Sequence, residues 1–402
     1  MRWRSLPGRV RRLAERELRK LRGIDERVVR LPAEGGPARA RALFSYIVDP
    51  FLLPAGAELP HSHTHFWESR TMARTLCALG FEVDAIHWTN RTFVPRERYD
   101  LLVDVRLNLE RLGPALGPDC LKVMHAETAH ASFYNPAQRA RLAALEARRG
   151  IRLAPFKMLE ENRAIEHADC ATLVGNERTQ ATYRFAGKPL WPVPISQPVL
   201  YPCPDDKDFA AARARFLWFG SGGMVHKGLD LVLDAFAGLP DLQLTVCGPV
   251  ERERAFEAAY ARELYATPNI RAHGWIDVAG PEFLALARAT LALVYPSCSE
   301  GQNGGTVTCL HAGLLAVVTP EVGVDVDASF GVVLGEPTVE AIRAAAVGLS
   351  RRAPDELAAL ARRAWQFARE HHTRERFAAE YRRALVEILH RFRPELARRL
   401  AA

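Results

Sequence analysis

The sequence predicts an α/β protein with two doubly wound parallel sheets, because two series of strands and helices follow each other along the chain. The chain has 402 residues, which exceeds the length of one ordinary domain. In each series, short apolar runs alternate with amphipathic helical patterns, as is typical of a parallel sheet that helices cover on both faces. We expect the two domains to face each other across a cleft at the carboxyl ends of their strands.

The first series occupies residues 38–200. Its apolar runs predict strands at 43–48, 82–87, 101–105, 121–124 and 171–174. Its helical patterns predict helices at about 68–79, 138–149 and 157–167. Six prolines between Pro189 and Pro204 then predict an extended linker, because proline continues neither a helix nor a central strand.

The second series occupies residues 206–370. Its apolar runs predict strands at 216–219, 242–246, 270–272, 291–295, 316–319 and 332–334. A helix is predicted at Leu229–Ala237, where four apolar side chains share one face. The sequence His371-His372-Thr373 interrupts the helical pattern, and a final helix is predicted at 374–389 within the segment 371–402.

Positive charge is concentrated at the beginning of the chain, in a basic arm that we place at residues 1–37. Residues 1–30 hold 11 arginines and lysines against four acidic residues, so they account for the whole net charge of +7. The composition favours either a solvated arm or a helix that binds the anionic surface of a membrane or a polyanionic acceptor. The chain contains no recognisable nucleic-acid-binding module, so we do not expect nucleic acid as a partner.

Other features indicate a cytoplasmic protein. No apolar stretch is long enough to span a bilayer, and the first residues lack the pattern of a secretory signal. The seven cysteines are dispersed without a Cys-x-x-Cys pair, as expected of reduced thiols. We therefore expect a cytoplasmic location, with the basic arm as a means of peripheral attachment to the inner face of the membrane.

A glycine-rich turn follows the first strand of the second series. Residues 219–230 read F-G-S-G-G-M-V-H-K-G-L-D, so a strand, a tight turn and a helix follow each other. Gly222 and Gly223 would let the backbone approach a phosphate, to which Lys227 would add positive charge. The same turn would equally serve simple packing of the helix against the strand. Because no acidic residue ends the next strand, a nicotinamide cofactor is not indicated.

A loop with a carboxylate and glycines follows the strand predicted at 291–295. Residues 296–308 read P-S-C-S-E-G-Q-N-G-G-T-V-T. Glu300 would accept hydrogen bonds from sugar hydroxyls, and the backbone N–H groups around Asn303, Gly304 and Gly305 would bind a diphosphate at the start of a helix. Because both motifs follow strands of one predicted sheet, they favour a nucleotide-sugar site over two unrelated loops.

These motifs resemble those of retaining GT-B glycosyltransferases of the large family 4 type. The second motif is similar to the family's E-G-F-G…E-A-M-A-x-G-x-P-V-V pattern, and His226-Lys227-Gly228 is similar to its Lys-Gly. Residues 270–275 resemble the strand whose end borders the nucleobase. The likeness covers residues 216–348 well and the first series more loosely.

The resemblance implies a GT-B fold, in which two Rossmann-like domains face a central cleft and a C-terminal crossover helix packs back on the first domain. It implies that Glu300 orients the donor sugar, that Lys227 stabilises the departing diphosphate, and that His125 reaches the sugar from the first domain. The residues expected to contact the donor are Gly222, Gly223, His226, Trp275, Asn303, Gly304, Gly305, Thr306 and Thr308.

The chain departs from the family pattern at both phosphate and ribose positions. Gly222 stands where the family has an arginine, and Thr308 stands where it has the second glutamate, which would bind the ribose. We expect His226, or an arginine from elsewhere such as Arg70, to offset the missing positive charge.

The segment H-S-H-T-H at residues 61–65 replaces the glycine pair that the family has after its first strand. We expect His63, His65 and Arg70 to lie on the acceptor side of the cleft. The histidine spacing is a weak zinc signal without cysteine or a distant carboxylate. Asp325-Val326-Asp327 is more typical of a loop cap than of a metal site, and the resemblance implies that no metal is needed.

We therefore expect a glycosyltransferase of the hexosyltransferase type, with a role in polysaccharide biosynthesis. It would move a sugar from a nucleoside diphosphate sugar to a hydroxyl of a glycan or lipid-linked saccharide, with retained configuration and without a further cofactor. Gly222 and Thr308 leave open a catalytically silent GT-B subunit that binds a partner or a glycan. A sugar-nucleotide epimerase of the same fold is a second alternative.

Overall fold

The computed structural model describes residues 23–54, 56–61 and 64–402. Residues 1–22, which make up most of the expected basic arm, and His63 lie outside the described residues. In the part of the chain that is described, no helix combines the length and the apolar character needed to cross a membrane.

A largely parallel sheet forms the N-terminal domain. Its strands are β1 (Val28–Leu31), β2 (Ala40–Tyr46), β3 (Phe81–His87), β4 (Leu101–Asp104), β5 (Leu121–Ala126), β6 (Cys170–Val174) and β7 (Leu190–Val193). They lie in the order β1-β3-β2-β4-β5-β6-β7, and β1 pairs antiparallel with β3, whereas the other strand pairs are parallel. The central strands are buried almost throughout, which explains their continuous apolar runs.

Helices connect these strands and cover the sheet. They are α1 (Thr64–Ala78), α2 (Leu107–Leu112), α3 (Ala131–Arg149), α4 (Ala164–His167) and α5 (Glu177–Ala181). The helices predicted at 68–79 and 138–149 correspond to α1 and α3, each of which starts several residues earlier than its apolar pattern.

The prediction of a helix at 157–167 is wrong, because only α4 forms there. Asn135 on α3 accepts a hydrogen bond from the Leu159 backbone N–H (2.9 Å) and donates one to the Leu159 carbonyl (3.0 Å). Gln138, one turn later, donates to the Lys157 carbonyl (2.8 Å). These bonds satisfy backbone groups that a helix would otherwise pair. The side chains of α3 thereby hold part of the segment 151–163, which forms neither helix nor strand.

The linker also begins later than the prolines predict. Leu190–Val193 forms β7, which pairs parallel with β6 at the edge of the sheet. Pro192 is tolerated in β7 because an edge strand leaves one side of its backbone unpaired. The extended connection to the second domain therefore starts after Val193.

A fully parallel sheet forms the C-terminal domain. Its strands are β8 (Arg215–Phe219), β9 (Gln243–Cys247), β10 (Ile270–Gly274), β11 (Ala292–Tyr295), β12 (Leu315–Val318) and β13 (Gly331–Val333). They lie in the order β10-β9-β8-β11-β12-β13. The helices around this sheet are α6 (Phe209–Ala212), α7 (Leu229–Ala237), α8 (Arg254–Ala259), α9 (Ala261–Tyr265), α10 (Pro281–Ala289), α11 (Gly304–His311), α12 (Val339–Ser350) and α13 (Pro354–His371). The neighbouring strands β8 and β11 both end at the cleft.

The last two helices, α14 (Arg374–Phe392) and α15 (Pro394–Ala401), pack on the N-terminal domain. The chain reverses at His372, whose carbonyl accepts a hydrogen bond from His311 Nε2 on α11 (2.8 Å). Phe377 and Tyr381 on α14 are completely buried, and the Phe377 ring meets the Trp67 ring of α1 at 5.9 Å. The end of the chain therefore ties the C-terminal domain to the N-terminal one.

Phe377→Ala is expected to destabilise the protein by about 3–5 kcal/mol, because removal of a buried ring leaves a cavity in the core. Urea unfolding followed by circular dichroism measures this loss. Arg376→Ala is the matched control on the exposed face of the same helix, and its effect should stay within about 0.5 kcal/mol. Equal losses for both variants would show that α14 does not pack as described.

Candidate functional site

A cavity of about 720 Å³ lies between the two domains, at the carboxyl ends of their strands. The C-terminal domain contributes the loops after β8, β10 and β11 and the start of α11. The N-terminal domain contributes the start of α1, the residues after β4 and β5, and the extended segment after α3. The predicted residues that line this cavity are Gly222, Gly223, His226, Lys227, Trp275, Glu300, Asn303, Gly304, Gly305, Thr308 and His65.

Lys227 and Glu300 form an ion pair on the floor of the cavity. Lys227 Nζ lies 3.1 Å from Glu300 Oε1 and donates to the Tyr295 hydroxyl at 2.7 Å. The same carboxylate oxygen accepts hydrogen bonds from the Tyr295 hydroxyl (3.1 Å) and from Ser297 Oγ (3.0 Å). The loops after β8 and β11 are thus joined by this ion pair and by the hydrogen bonds around it.

The Glu300 carboxyl is held in its ionised form. Burial alone would raise its pKa, but the charge of Lys227 and the hydrogen bonds from Lys227 and Ser297 lower it below its ordinary value. Burial and the neighbouring Glu300 raise the pKa of Tyr295 well above its ordinary value, so this hydroxyl remains a donor. The floor therefore presents an ionised carboxylate beside the Lys227 side chain.

His226 joins the two domains and does not supply positive charge. Its Nε2 donates to the Ser299 carbonyl at 2.7 Å, and its ring packs at a tilt against Tyr134 of α3 with centroids 4.7 Å apart. Burial lowers the pKa of His226 to about 4, so the ring is neutral. The expectation that His226 offsets the missing arginine charge is therefore wrong, since a desolvated imidazolium beside Lys227 is unfavourable.

The start of α11 points its first turn at the cavity. Asn303 caps this helix: its Oδ1 accepts the Thr306 backbone N–H (2.7 Å), and its Nδ2 donates to the Tyr295 hydroxyl (2.9 Å). Gly304 and Gly305 line the cavity at the positive end of the helix dipole. Thr306 is buried beneath them and does not line the cavity. The structure does not support the predicted contact of Thr306 with the sugar donor, because the Thr306 hydroxyl donates to Asn303 Oδ1 instead.

The glycine turn after β8 does not offer all of its N–H groups to a ligand. The backbone N–H groups of Gly223 and Met224 both bond the Glu253 carboxylate, the latter at 3.1 and 3.2 Å. Burial raises the pKa of Glu253 and these backbone hydrogen bonds oppose that shift. An acidic side chain from the loop after β9 therefore already fills this anion-binding turn, and the predicted phosphate contact of Gly223 disagrees with this arrangement.

Thr308 and Trp275 are the residues that we expect beside the ribose and the base of a nucleoside, respectively. The Thr308 hydroxyl donates to the Gly304 carbonyl (2.8 Å) and meets Gln197 Oε1 at 3.2 Å. Gln197, which follows β7, is 2% exposed and also lines the cavity. The Trp275 side chain is 57% exposed at the rim, where its ring is open to a flat ligand.

A second charged cluster forms the N-terminal wall. Glu127 lies at its centre, and accepts from Tyr46 (2.7 Å), from His65 (2.8 Å) and from Arg106 (3.0 Å). Burial would lower the pKa of His65, but Glu127 raises it, and Glu127 in turn has its pKa held well below normal by His65 and Arg106 despite its burial. This wall is polar, and hydrogen bonds to Glu127 hold its side chains together.

His125 lies behind this wall and does not line the cavity. It is completely buried, its Nδ1 meets Thr172 Oγ1 at 2.8 Å, and its ring packs against Tyr46 and Tyr381. Burial lowers its pKa to about 4. The predicted contact of His125 with the sugar is therefore wrong, because its side chain faces the crossover helix and Glu127 reaches the cleft instead.

Of the residues predicted on the acceptor side, Arg70 and His63 remain to be placed. Arg70 does not line the cavity, and its charge acts on Arg374 of α14. The expectation that Arg70 compensates for Gly222 is therefore wrong. His63 lies outside the described residues, whereas His61 lines the cavity beside His65.

No group of three His, Cys, Asp or Glu side chains suited to a metal ion occurs among the described residues. Asp325 accepts a hydrogen bond from Asn176 Nδ2 (2.9 Å), and Asp327 accepts the Ser329 backbone N–H (2.7 Å). Both carboxylates thus serve loop geometry.

A scan against protein-family models and a search of curated proteins gave no match. Solved structures do match. Sucrose-phosphate synthase from Thermosynechococcus elongatus covers 87% of this chain and 99% of its own, with 16% identity and a TM-score of 0.61. The match with HepE from Anabaena, in complex with UDP and glucose, covers 87% of this chain and 99% of the HepE chain, with 12% identity and a TM-score of 0.54. The match with WaaG, a glycosyltransferase involved in lipopolysaccharide biosynthesis, covers 86% of this chain and 99% of the WaaG chain, with 16% identity and a TM-score of 0.50.

These matches extend over nearly the full length of the similar structures and over both sheets of this chain. The fold class predicted from the sequence is confirmed. The chain has the GT-B fold of glycosyltransferases, with two Rossmann-like domains that face a central cleft.

Proposed function

We propose that this chain transfers a sugar from a nucleoside diphosphate sugar to a hydroxyl acceptor. The observation that carries the proposal is the Lys227–Glu300 pair, which lies beside the open first turn of α11 in the interdomain cavity. HepE, which shares the fold, is described in complex with UDP and glucose and with UDP-glucose. A nucleoside diphosphate sugar has the three parts that this site suits: a flat base, a diphosphate and a ring of hydroxyls.

Each group would act on a different part of the donor. The ionised Glu300 accepts hydrogen bonds from sugar hydroxyls and so orients the anomeric carbon. Lys227 and the N–H groups at Gly304 and Gly305 stabilise the negative charge that develops on the departing diphosphate. The proposal assigns this charge to protein groups and needs no resident metal. Trp275 flanks the base at the rim.

The acceptor would enter from the N-terminal wall. Glu127, His65 and Arg106 face the cavity opposite the donor loops and offer both donors and acceptors of hydrogen bonds. Such a wall suits a hydroxyl-rich glycan or the saccharide of a lipid-linked acceptor. We include retained anomeric configuration, polysaccharide biosynthesis and peripheral attachment through residues 1–30 in the proposal, on the basis of the sequence resemblance and the charge of that arm.

A catalytically silent subunit is the alternative that a specific observation favours. Thr308 and Gln197 leave the ribose position without a carboxylate. A silent subunit would bind its ligand without releasing nucleoside diphosphate.

Nucleoside diphosphate sugars are expected to raise the melting temperature of the purified protein. A ligand at 100 times its dissociation constant stabilises the folded state by about 2.7 kcal/mol. A thermal-shift screen of UDP-, GDP-, ADP- and TDP-sugars, with the free sugars as controls, measures the effect. The absence of a shift with every donor would contradict a nucleotide-sugar site.

Glu300→Gln and Lys227→Met are each expected to reduce the release of nucleoside diphosphate from the donor by about 100-fold or more, since each removes a charge that stabilises the transition state. Both variants keep the approximate shape of the side chain. Glu336→Gln and Lys188→Ala, outside the cavity, are the matched controls and should keep full activity. Unchanged release by both site variants refutes the assignment, and no release by the unaltered protein favours the silent subunit.

A further inference from the structure

A segment of the N-terminal domain crosses the glycine turn of the C-terminal domain. Residues 151–163 form no helix or strand after α3, and the chain bends at Phe156, which lies over Gly222. A Cβ atom at Gly222 would stand only 2.5 Å from Phe156 Cζ and 2.6 Å from its Cε1. Any larger residue at position 222 would therefore displace the Phe156 ring. The ring thus fills the space that the arginine side chain of the family would enter.

Lys157, the next residue, is anchored beside Lys227. Its carbonyl accepts a hydrogen bond from Gln138 Nε2 at 2.8 Å, and the same Nε2 lies 3.5 Å from His226 Nδ1. His226 immediately precedes Lys227, and its ring packs against Tyr134 of α3. The backbone of Lys157 is therefore fixed to the element that carries Lys227, although the two lysines belong to different domains.

Among the described residues that line the cavity, Lys157 is a cation that forms no ion pair. Lys157, Arg106 and Lys227 all line it. Arg106 is paired with Glu127, and Lys227 is paired with Glu300. Within the described ranges, the Lys157 ammonium has no hydrogen bond or ion pair. Partial burial, followed by the charge of Arg106, lowers the pKa of Lys157, although Glu127 and Glu300 oppose the shift, so an added anion in the cavity would favour the charged ammonium.

We propose that Lys157 supplies the second positive charge on the donor diphosphate, in place of the arginine that is absent at Gly222. The inference rests on the proposed function and names a further binding residue for it. It follows that the diphosphate is held from both domains: by Lys227 and the start of α11 on one side, and by Lys157 on the other. The choice of the diphosphate over an anionic acceptor rests on Phe156, which seats this segment on the donor loop.

Lys157→Ala should weaken binding of a nucleoside diphosphate about tenfold to 100-fold, the range for loss of a hydrogen bond to a charged group. The probe is UDP, GDP, ADP or TDP, whichever binds the unaltered protein most tightly, measured by titration calorimetry with inorganic pyrophosphate alongside. The free nucleoside should bind equally to both proteins, because the loss is confined to the phosphates. Lys188→Ala is the matched control and should bind like the unaltered protein.

The charge can also be moved back to the family position. In the triple variant Phe156→Ala/Lys157→Ala/Gly222→Arg, removal of the ring gives the new arginine room, and diphosphate affinity should recover to within a few-fold of the unaltered protein. The double variant Phe156→Ala/Lys157→Ala should remain weak. Rescue by an arginine distinguishes a charge on the phosphates from a merely structural role of the segment.

The outcomes separate the two proposals. If the unaltered protein and Lys157→Ala bind the diphosphate equally, the role of Lys157 is overturned and the proposed function stands. If Lys157→Ala weakens only binding of an acceptor saccharide, the lysine belongs to the acceptor side and the inference is also overturned. If the unaltered protein binds no nucleoside diphosphate and no pyrophosphate, both proposals fail together.

Discussion

The site depends on one buried ion pair between two neighbouring strand ends. Removal of two charges from water is costly, and a buried pair is tolerated only where further hydrogen bonds complete its partners. Around Glu300 and Lys227 this is achieved by Tyr295 and Ser297, which lie at or just after the end of β11. Asn303 extends the same network to the cap of α11. The carboxylate, the ammonium and the helix start therefore keep a common geometry.

The arrangement of the two domains depends on α3, which belongs to one domain and packs on the other. Arg148 at its end pairs with Asp230 of α7 at 2.7 Å, and Arg141 donates to the Pro296 carbonyl at 3.0 Å. The neutral His226 ring fills the space between α3 and the Glu300 loop. Because these contacts reach the two loops that carry the ion pair, the width of the cleft and the geometry of the site are linked.

The sequence alone predicted the regular parts of this structure well. Apolar periodicity placed β8, β11 and α7 within a residue or two, because their burial repeats locally along the chain. Glu127 and Arg106 could have been found as well, since each follows a predicted strand. Gln197 and Glu253 could not, because long-range contacts alone bring them to the site. The missing helix at 157–167 has the same cause, since side chains of α3 capture its backbone.

The two departures from the pattern of the family that the sequence resembles both occur where the two domains meet. At the ribose position, Thr308 meets Gln197, which follows the last strand of the N-terminal domain. At the phosphate position, Phe156 covers Gly222 and brings Lys157 to the cavity. In both places a loop of the C-terminal domain meets a side chain of the N-terminal domain. The proposed donor site would then be complete only when the domains face each other as they do here. A ligand that contacts both domains and binds only this arrangement would stabilise it by its own binding free energy.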